Sequence, residues 1–181
     1  ESFTLIPLAV GHAGADEVAE VLERLWGGDE TLIVISSDLS HYLPYAQAQA
    51  RDQATVQRIL HFATDLEGAE ACGAAPLNGA LLAAHRHGLV PRLLGLRNSA
   101  DIDGGDPRRV VGYGAIAFDA AAPTANSDSD DDDAALGRAL VTAARASSFR
   151  PIRPQAAAVV AWVPKSWGMF MRFVVSSASS R

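Results

Sequence analysis

The segment Ser36-Ser37-Asp38-Leu39-Ser40-His41 holds the side chains best suited to chemistry. It follows an apolar, β-branched run at 31–35, and ligands of open α/β sheets bind outside the carboxyl ends of the strands. An Asp and a His three residues apart can bring a carboxylate and an imidazole to one side of a turn, as acid/base partners or as metal ligands. A simpler interpretation also fits, in which Asp38 or Ser40 caps a following helix and His41 is an ordinary, partly exposed side chain.

Cys72 is the single cysteine of the chain. A lone cysteine cannot form an intramolecular disulfide and fits a reducing compartment, so we expect a cytoplasmic protein. The thiol could be a soft metal ligand or a reactive nucleophile that joins Asp38 and His41. A free cysteine is also commonly just a small, buried apolar residue, and that interpretation stays open.

Other polar residues are weaker candidates for the same cleft. His12 follows the first apolar run, but residues 11–14 fit an ordinary loop equally well. A second group could line the cleft from another strand end, although a tight loop needs the same residue types: Asn98, Asp101 and Asp103. The remaining histidines lack ligand spacing and are predicted at helix surfaces or ends: His61, His85 and His87.

Strands and helices are both predicted along the first two thirds of the chain. Apolar, β-branched runs predict strands over 3–10, 31–35, 90–96 and 109–118, and the 3.6-residue apolar period predicts helices over 15–26, 45–63 and 76–87. A strand, helix, strand order implies a right-handed parallel crossover. We therefore expect an α/β fold with a mostly parallel sheet.

Composition narrows the classes of partner. The chain has 15 basic and 21 acidic residues, and five of the acids lie between 128 and 133. Residues 1–118 contain no basic stripe with interleaved aromatic residues, which argues against nucleic acid. No apolar run reaches the roughly 18 residues that a membrane span needs. The chain enters an apolar run directly after Glu1, so we expect an N-terminal truncation.

The pattern changes after residue 118. Residues 119–132 are rich in Ala, Pro, Ser and Asp and are predicted to form an acidic, flexible linker. Helical periodicity returns over 133–146. Residues 147–181 hold two of the three Trp, both Met and five basic residues but no acid, so we expect residues 133–181 to be a truncated or frame-disrupted start of a second domain.

Several segments resemble the Memo family, known in bacteria and archaea as the AmmeMemoRadiSam system protein B. The resemblance covers about residues 2–118, the C-terminal part of a family domain, in five segments of matching order: Phe3-Thr-Leu-Ile-Pro7, Ile35-Ser-Ser-Asp-Leu-Ser-His-Tyr42, Ala71-Cys-Gly73 with Pro76, Asn98-Ser-Ala-Asp101 and Val110-Val-Gly-Tyr-Gly-Ala-Ile-Ala117. The Ser-Ser-Asp-x-Ser-His and Cys-Gly segments are the most specific of these.

The resemblance implies a three-layer α/β/α fold with a mostly parallel sheet, similar to class III extradiol dioxygenases, and a cleft associated with iron or copper. Asp38 and His41 match the Asp-x-x-His cleft residues of the family, and Cys72 matches its Cys-Gly cysteine. His41 and Cys72 are then metal ligands, and the remaining ligands come from an N-terminal half that this chain lacks. Residues 133–146 resemble the first helix of an AMMECR-type domain, and the family name points to a radical-SAM associate.

Three functions follow from these observations. The first is an iron- or copper-binding redox or dioxygenase-like protein, in which Asp38, His41 and Cys72 act in the cleft. Such a protein would be a metal-dependent oxidoreductase. The second is a non-catalytic module that holds a peptide or small molecule in the same cleft. The third is a partial fold without activity.

Overall fold

The computed structural model describes residues 3–28, 31–101 and 105–121, together with the backbone of two strands at 156–160 and 174–178. The predicted linker beyond residue 121, the predicted helix over 133–146 and Asp103 lie outside the described residues.

The described chain contains both strands and helices. Its elements are β1 (Phe3–Leu5), α1 (Ala15–Leu25), β2 (Thr31–Ser36), β3 (His41–Leu43), α2 (Tyr45–Leu60), α3 (Ala74–Arg86), β4 (Leu89–Asn98), a 3-10 turn (Ser99–Asp101), β5 (Val110–Ala120), β6 (Ala156–Val160) and β7 (Val174–Ala178). Strands and helices do not alternate strictly, since β2 is followed by β3 and α2 by α3. All three predicted helices are confirmed, and each deviates by at most three residues at either end. None of the described helices is long and apolar enough to cross a membrane.

Two details differ from the prediction. β1 ends at Leu5, whereas the apolar run extends to residue 10, because Pro7 has no N–H to donate to a strand ladder. The motif of Asp38 and His41 leads into the short strand β3, and α2 begins only at Tyr45, with Pro44 at its N-cap. Neither Asp38 nor Ser40 therefore caps a helix.

The strands form one seven-stranded sheet with β1, β7, β2, β6, β5 and β3 in order and β4 paired to β5. Of the six described pairings, only that of β2 with β6 is parallel, so a mostly parallel ladder is not what the described strands show. The β4 to β5 connection is too short for a crossover helix, which requires an antiparallel pair. β1, β2 and β4 nevertheless run in the same direction. β7 is antiparallel to both β1 and β2, and β5 is antiparallel to both β4 and β6, while β6 is parallel to β2.

The helices pack on one face of the sheet. A single apolar cluster joins side chains of all three helices to those of β2 and β5, including Val18, Leu22, Ile33, Ile35, Val56, Ile59, Leu77, Leu81, Ile116 and Phe118. Val34, Ala115 and Ala117 alternate with these strand residues and are buried on the opposite face. The described residues thus show one helical layer on the sheet, and a third layer is not among them.

Candidate functional site

Asp38, His41 and Cys72 converge beyond the carboxyl end of β2. One potential ligand atom from each residue lies within 4.8 Å of the other two. His41 Nε2 is 3.6 Å from Asp38 Oδ2. Within the described residues, this is the one group of three or more His, Cys, Asp or Glu side chains that could hold a metal ion.

Paired hydrogen bonds join the segments that carry Asp38 and Cys72. The Asp38 N–H donates to Cys72 Sγ at 3.1 Å, and the Cys72 N–H donates to the Asp38 carbonyl oxygen, also at 3.1 Å. Cys72 is exposed, so it is not a buried apolar residue. The sulfur is therefore accessible while its position relative to Asp38 is fixed.

The Ser37 hydroxyl also connects the segments that carry Asp38 and Cys72. Its side chain is buried, and its Oγ donates to the Asp38 carbonyl oxygen and accepts from the Gly73 N–H, both at 2.8 Å. The same Oγ lies 3.8 Å from Cys72 Sγ. One hydroxyl thus bridges the end of β2 and the start of α3.

Burial sets the electrostatics of Asp38. Desolvation raises the pKa of this carboxyl, and the neighbouring His41 partly opposes that shift. Asp38 Oδ1 is buried without a hydrogen-bond partner among the described residues. A buried carboxylate oxygen without a partner costs free energy, which a cation placed between the three side chains would recover.

Arg58 fastens the loop that precedes Cys72 to α2. Its guanidinium donates to both carboxylate oxygens of Glu70, at 2.6 and 2.5 Å, and to Asp65 Oδ1 at 2.5 Å. The Glu70 carboxylate also accepts from the Glu67 N–H at 3.0 Å. These bonds close the 61–73 loop on itself and limit where Cys72 can lie.

Comparison with known proteins gives the family of the chain. A family profile described as Memo-like protein matches residues 1–117. The chain belongs to the Memo family. Among curated Memo relatives, a MEMO1 family protein from Aeropyrum pernix is 32% identical over 126 residues, covering 63% of this chain and 44% of the relative. One from Methanopyrus kandleri is 34% identical over 137 residues, covering 65% and 46%.

The chain thus spans less than half the length of these Memo relatives. A MEMO1 family protein from Nitrosopumilus maritimus, 30% identical over 129 residues, is covered to 46%. No solved structure matches the chain. The predicted resemblance to the Memo family is therefore confirmed, and it concerns one part of the family's proteins.

The weaker candidates do not join the cluster. His12 is exposed and is absent from the metal-binding group, and three other histidines are exposed on or next to helices: His61, His85 and His87. Asn98 and Asp101 satisfy their own loop, because Asn98 Oδ1 accepts from the Ala100 N–H and Asp101 Oδ2 accepts from the Asn98 N–H. These hydrogen bonds agree with the loop interpretation for Asp101, which lies in the 3-10 turn, whereas Asn98 is the last residue of β4.

Sequence reasoning missed two residues that support the Memo site. Ser37 lies within the motif without a predicted role, and Asp52 lies outside every predicted group of site residues. Asp52 stands on the buried face of α2 between Ala48 and Val56. An acid inside an apolar stripe at i, i+4 spacing is a signal that the sequence already contained, because such a residue must find a buried partner.

Acidification should loosen the Cys72 loop through Glu70. The Arg58 hydrogen bonds lower the pKa of Glu70 below its ordinary value of 4.5. A lowered pKa stabilises the fold above pH 4.5, and this contribution is lost as the pH falls through the folded-state pKa. We expect Glu70→Gln to be less stable than wild type at pH 7, with the difference shrinking below about pH 4.5.

Urea unfolding between pH 7 and pH 3 measures this difference. Glu67→Gln is the matched control, because Glu67 is in the same loop but contributes its N–H and not its side chain. A Glu70→Gln difference that stays constant over this pH range contradicts the prediction.

Proposed function

We propose that the chain carries part of a mononuclear metal centre that serves a redox or dioxygenase-like reaction, with His41 and Cys72 as ligands and Asp38 as a third ligand or a proton carrier. The convergence of imidazole, thiol and carboxylate within 4.8 Å is the observation that supports the proposal. The partnerless buried Asp38 Oδ1 supports it further.

The donor set favours a transition metal. Thiolate sulfur is a soft ligand and imidazole suits iron, copper and zinc, whereas Mg²⁺ and Ca²⁺ prefer oxygen alone. We propose iron or copper, whose redox chemistry the bound ion would supply. The residues of this chain would fix the ion's position, and Asp38, whose pKa is raised by burial, can exchange a proton nearer neutrality than an ordinary carboxyl.

The remaining ligands of the metal centre would come from the part of the Memo domain that this chain does not span. The chain spans less than half of its relatives, and we propose that the remaining ligands and a three-layer, mostly parallel, dioxygenase-like sheet are completed by the other half. The common direction of β1, β2 and β4 and the burial of Val34, Ala115 and Ala117 on the face opposite the helices are consistent with that architecture. Association with an AMMECR-type domain and a radical-SAM protein is part of the same proposal.

Metal titration tests the centre. We expect one Fe²⁺ or Cu⁺ per chain under anaerobic conditions, with about tenfold weaker binding in Cys72→Ser, because a hydroxyl replaces the soft ligand. His12→Ala is the control, since it removes an exposed imidazole outside the cluster. Failure to bind either ion below about 1 mM, or equal affinities in Cys72→Ser and wild type, would contradict the proposal.

A non-catalytic ligand-binding module is the second candidate, favoured by a surface next to His41. Tyr42 is 54% exposed with a φ of 60°, a left-handed conformation that is uncommon outside glycine. The exposed Arg109 guanidinium lies 4.9 Å from the centre of the Tyr42 ring. An exposed ring and cation would suit an anionic small molecule or peptide.

The two functions differ in their response to chelators. The binding module predicts that an anionic ligand binds with unchanged affinity after chelator treatment and that no oxygen is consumed. Arg109→Gln should then weaken binding, whereas Arg108→Gln should not, because Arg108 is already paired with Asp106. Oxygen consumption that depends on added metal would exclude the module.

A further inference from the structure

Asp52 places a buried carboxylate directly behind the candidate site. It lies on α2, is only 1% exposed, and its Oδ1 accepts the Ser40 N–H at 2.9 Å. Ser40 stands between Asp38 and His41 in the turn that leads into β3. The carboxylate therefore contacts the one backbone segment that connects two of the three cluster residues.

Gly112 holds the same segment from β5. The Leu39 N–H donates to the Gly112 carbonyl oxygen, and the Gly112 N–H donates to the Ser40 carbonyl oxygen, both at 2.9 Å. A Cβ built on Gly112 would overlap the Asp52 carboxylate. Glycine at this position is what allows Asp52, β5 and the turn to meet.

The charge on Asp52 comes at a thermodynamic cost. Burial raises the pKa of this carboxyl, and the hydrogen bond from the Ser40 backbone opposes the shift only in part. Helix α2 could bury an apolar residue here more favourably, as it does at Ala48 and Val56. The compensating gain lies in the Ser40 hydrogen bond, which secures the turn.

We propose that Asp52 is a positioning residue for the Asp38, His41 and Cys72 cluster: with Gly112 it holds the turn at Ser40, and thereby sets the separation of Asp38 and His41. The positioning itself stands on the geometry, and its consequence for metal binding rests on the proposed function. The Asp52 carboxylate contacts the Ser40 backbone between the cluster residues, so its action on the cluster is indirect.

Hydrogen exchange of the Ser40 amide, followed by NMR on the full chain, tests the positioning. We expect Asp52→Ala to accelerate this exchange at least tenfold, because the amide loses its acceptor. Asp52→Asn should stay within about threefold of wild type, because the asparagine oxygen can accept the same bond. Ile59→Val, buried two turns further along the same helix face, controls for general loss of stability. Equal acceleration in Asp52→Ala and Ile59→Val, or in Asp52→Ala and Asp52→Asn, would overturn the inference.

Gly112→Ala provides an independent check. The added methyl should displace the Asp52 carboxylate and accelerate Ser40 exchange about as much as Asp52→Ala does. In the double variant the exchange rate should then match that of the single variants and not the product of their effects. Multiplicative effects would mean that Gly112 and Asp52 act separately, which would overturn the joint role.

Titration with Co²⁺ alone, followed by its sulfur-to-cobalt absorption, measures the consequence for the cluster. We expect about tenfold weaker binding in Asp52→Ala and a change within threefold in Asp52→Asn, since outer-shell partners typically contribute 10- to 100-fold to metal affinity. Unchanged Co²⁺ affinity in Asp52→Ala overturns the positioning role while the metal centre stands. If wild type binds no Co²⁺, the metal centre fails, and Cys72 alkylation by iodoacetamide decides: an alkylation rate at least threefold different in Asp52→Ala upholds positioning, and an unchanged rate overturns it.

Discussion

Gly79→Ala is expected to destabilise the protein by about 2–3 kcal/mol, although alanine is the better helix former. Gly79 lies in the middle of α3, where α3 packs against α1. A Cβ at this position would overlap the Val18 side chain and come within 3.0 Å of the Ala15 carbonyl oxygen. The gain in helix propensity is only about 1 kcal/mol. Separating two packed helices costs more than that, because the interior cannot relax without opening voids.

Urea denaturation of the full chain measures the effect. Gly68→Ala is the matched control, since a Cβ on Gly68 meets no atom within 4 Å. Val18→Ala should recover only part of the loss when it is combined with Gly79→Ala, because it removes the Val18 Cγ1 that the new methyl would overlap but keeps the Val18 Cβ, which the methyl would also overlap. A Gly79→Ala variant as stable as wild type would show that α1 and α3 are not packed as described.

Ser37→Ala is expected to cost about 2 kcal/mol and to increase the reactivity of Cys72. Ser37 is 2% exposed, and its hydroxyl donates a hydrogen bond to the Asp38 carbonyl oxygen and accepts one from the Gly73 N–H. Alanine would leave that buried N–H without an acceptor, and an unsatisfied buried donor costs about 1–3 kcal/mol. The link between β2 and the start of α3 would then loosen around the sulfur.

Thermal unfolding and the rate of Cys72 alkylation by iodoacetamide test this prediction together. Ser36→Ala is the control, because the neighbouring hydroxyl is only half-buried and belongs to the last residue of β2. We expect the Ser37 variant to melt lower and to be alkylated at least threefold faster, with Ser36→Ala close to wild type. Loss of stability without faster alkylation would limit Ser37 to a structural role.

Local sequence patterns were sufficient to predict the three described helices. α1, α2 and α3 carry their own apolar period and end at or before Gly27, His61 and Gly88, so the information lies within each segment. The pairing of strands was less accessible, because it depends on partners elsewhere in the chain. The three-residue strand β3 has no pattern of its own, and it exists because His41 and Leu43 pair with Val111 and Val110 of β5.

The candidate site was likewise predictable from the sequence only in part. The sequence alone determined which side chains can do chemistry, since the motif of Asp38 and His41 and the Cys-Gly segment of Cys72 are legible without coordinates. Only the tertiary structure decided that Cys72 Sγ accepts a hydrogen bond from the Asp38 N–H and that Asp52 accepts one from the Ser40 N–H in the turn. Residue types and local spacing specify donors and acceptors, whereas bonds across 34 and 12 residues form only when packing of α2, α3 and β5 brings the segments together.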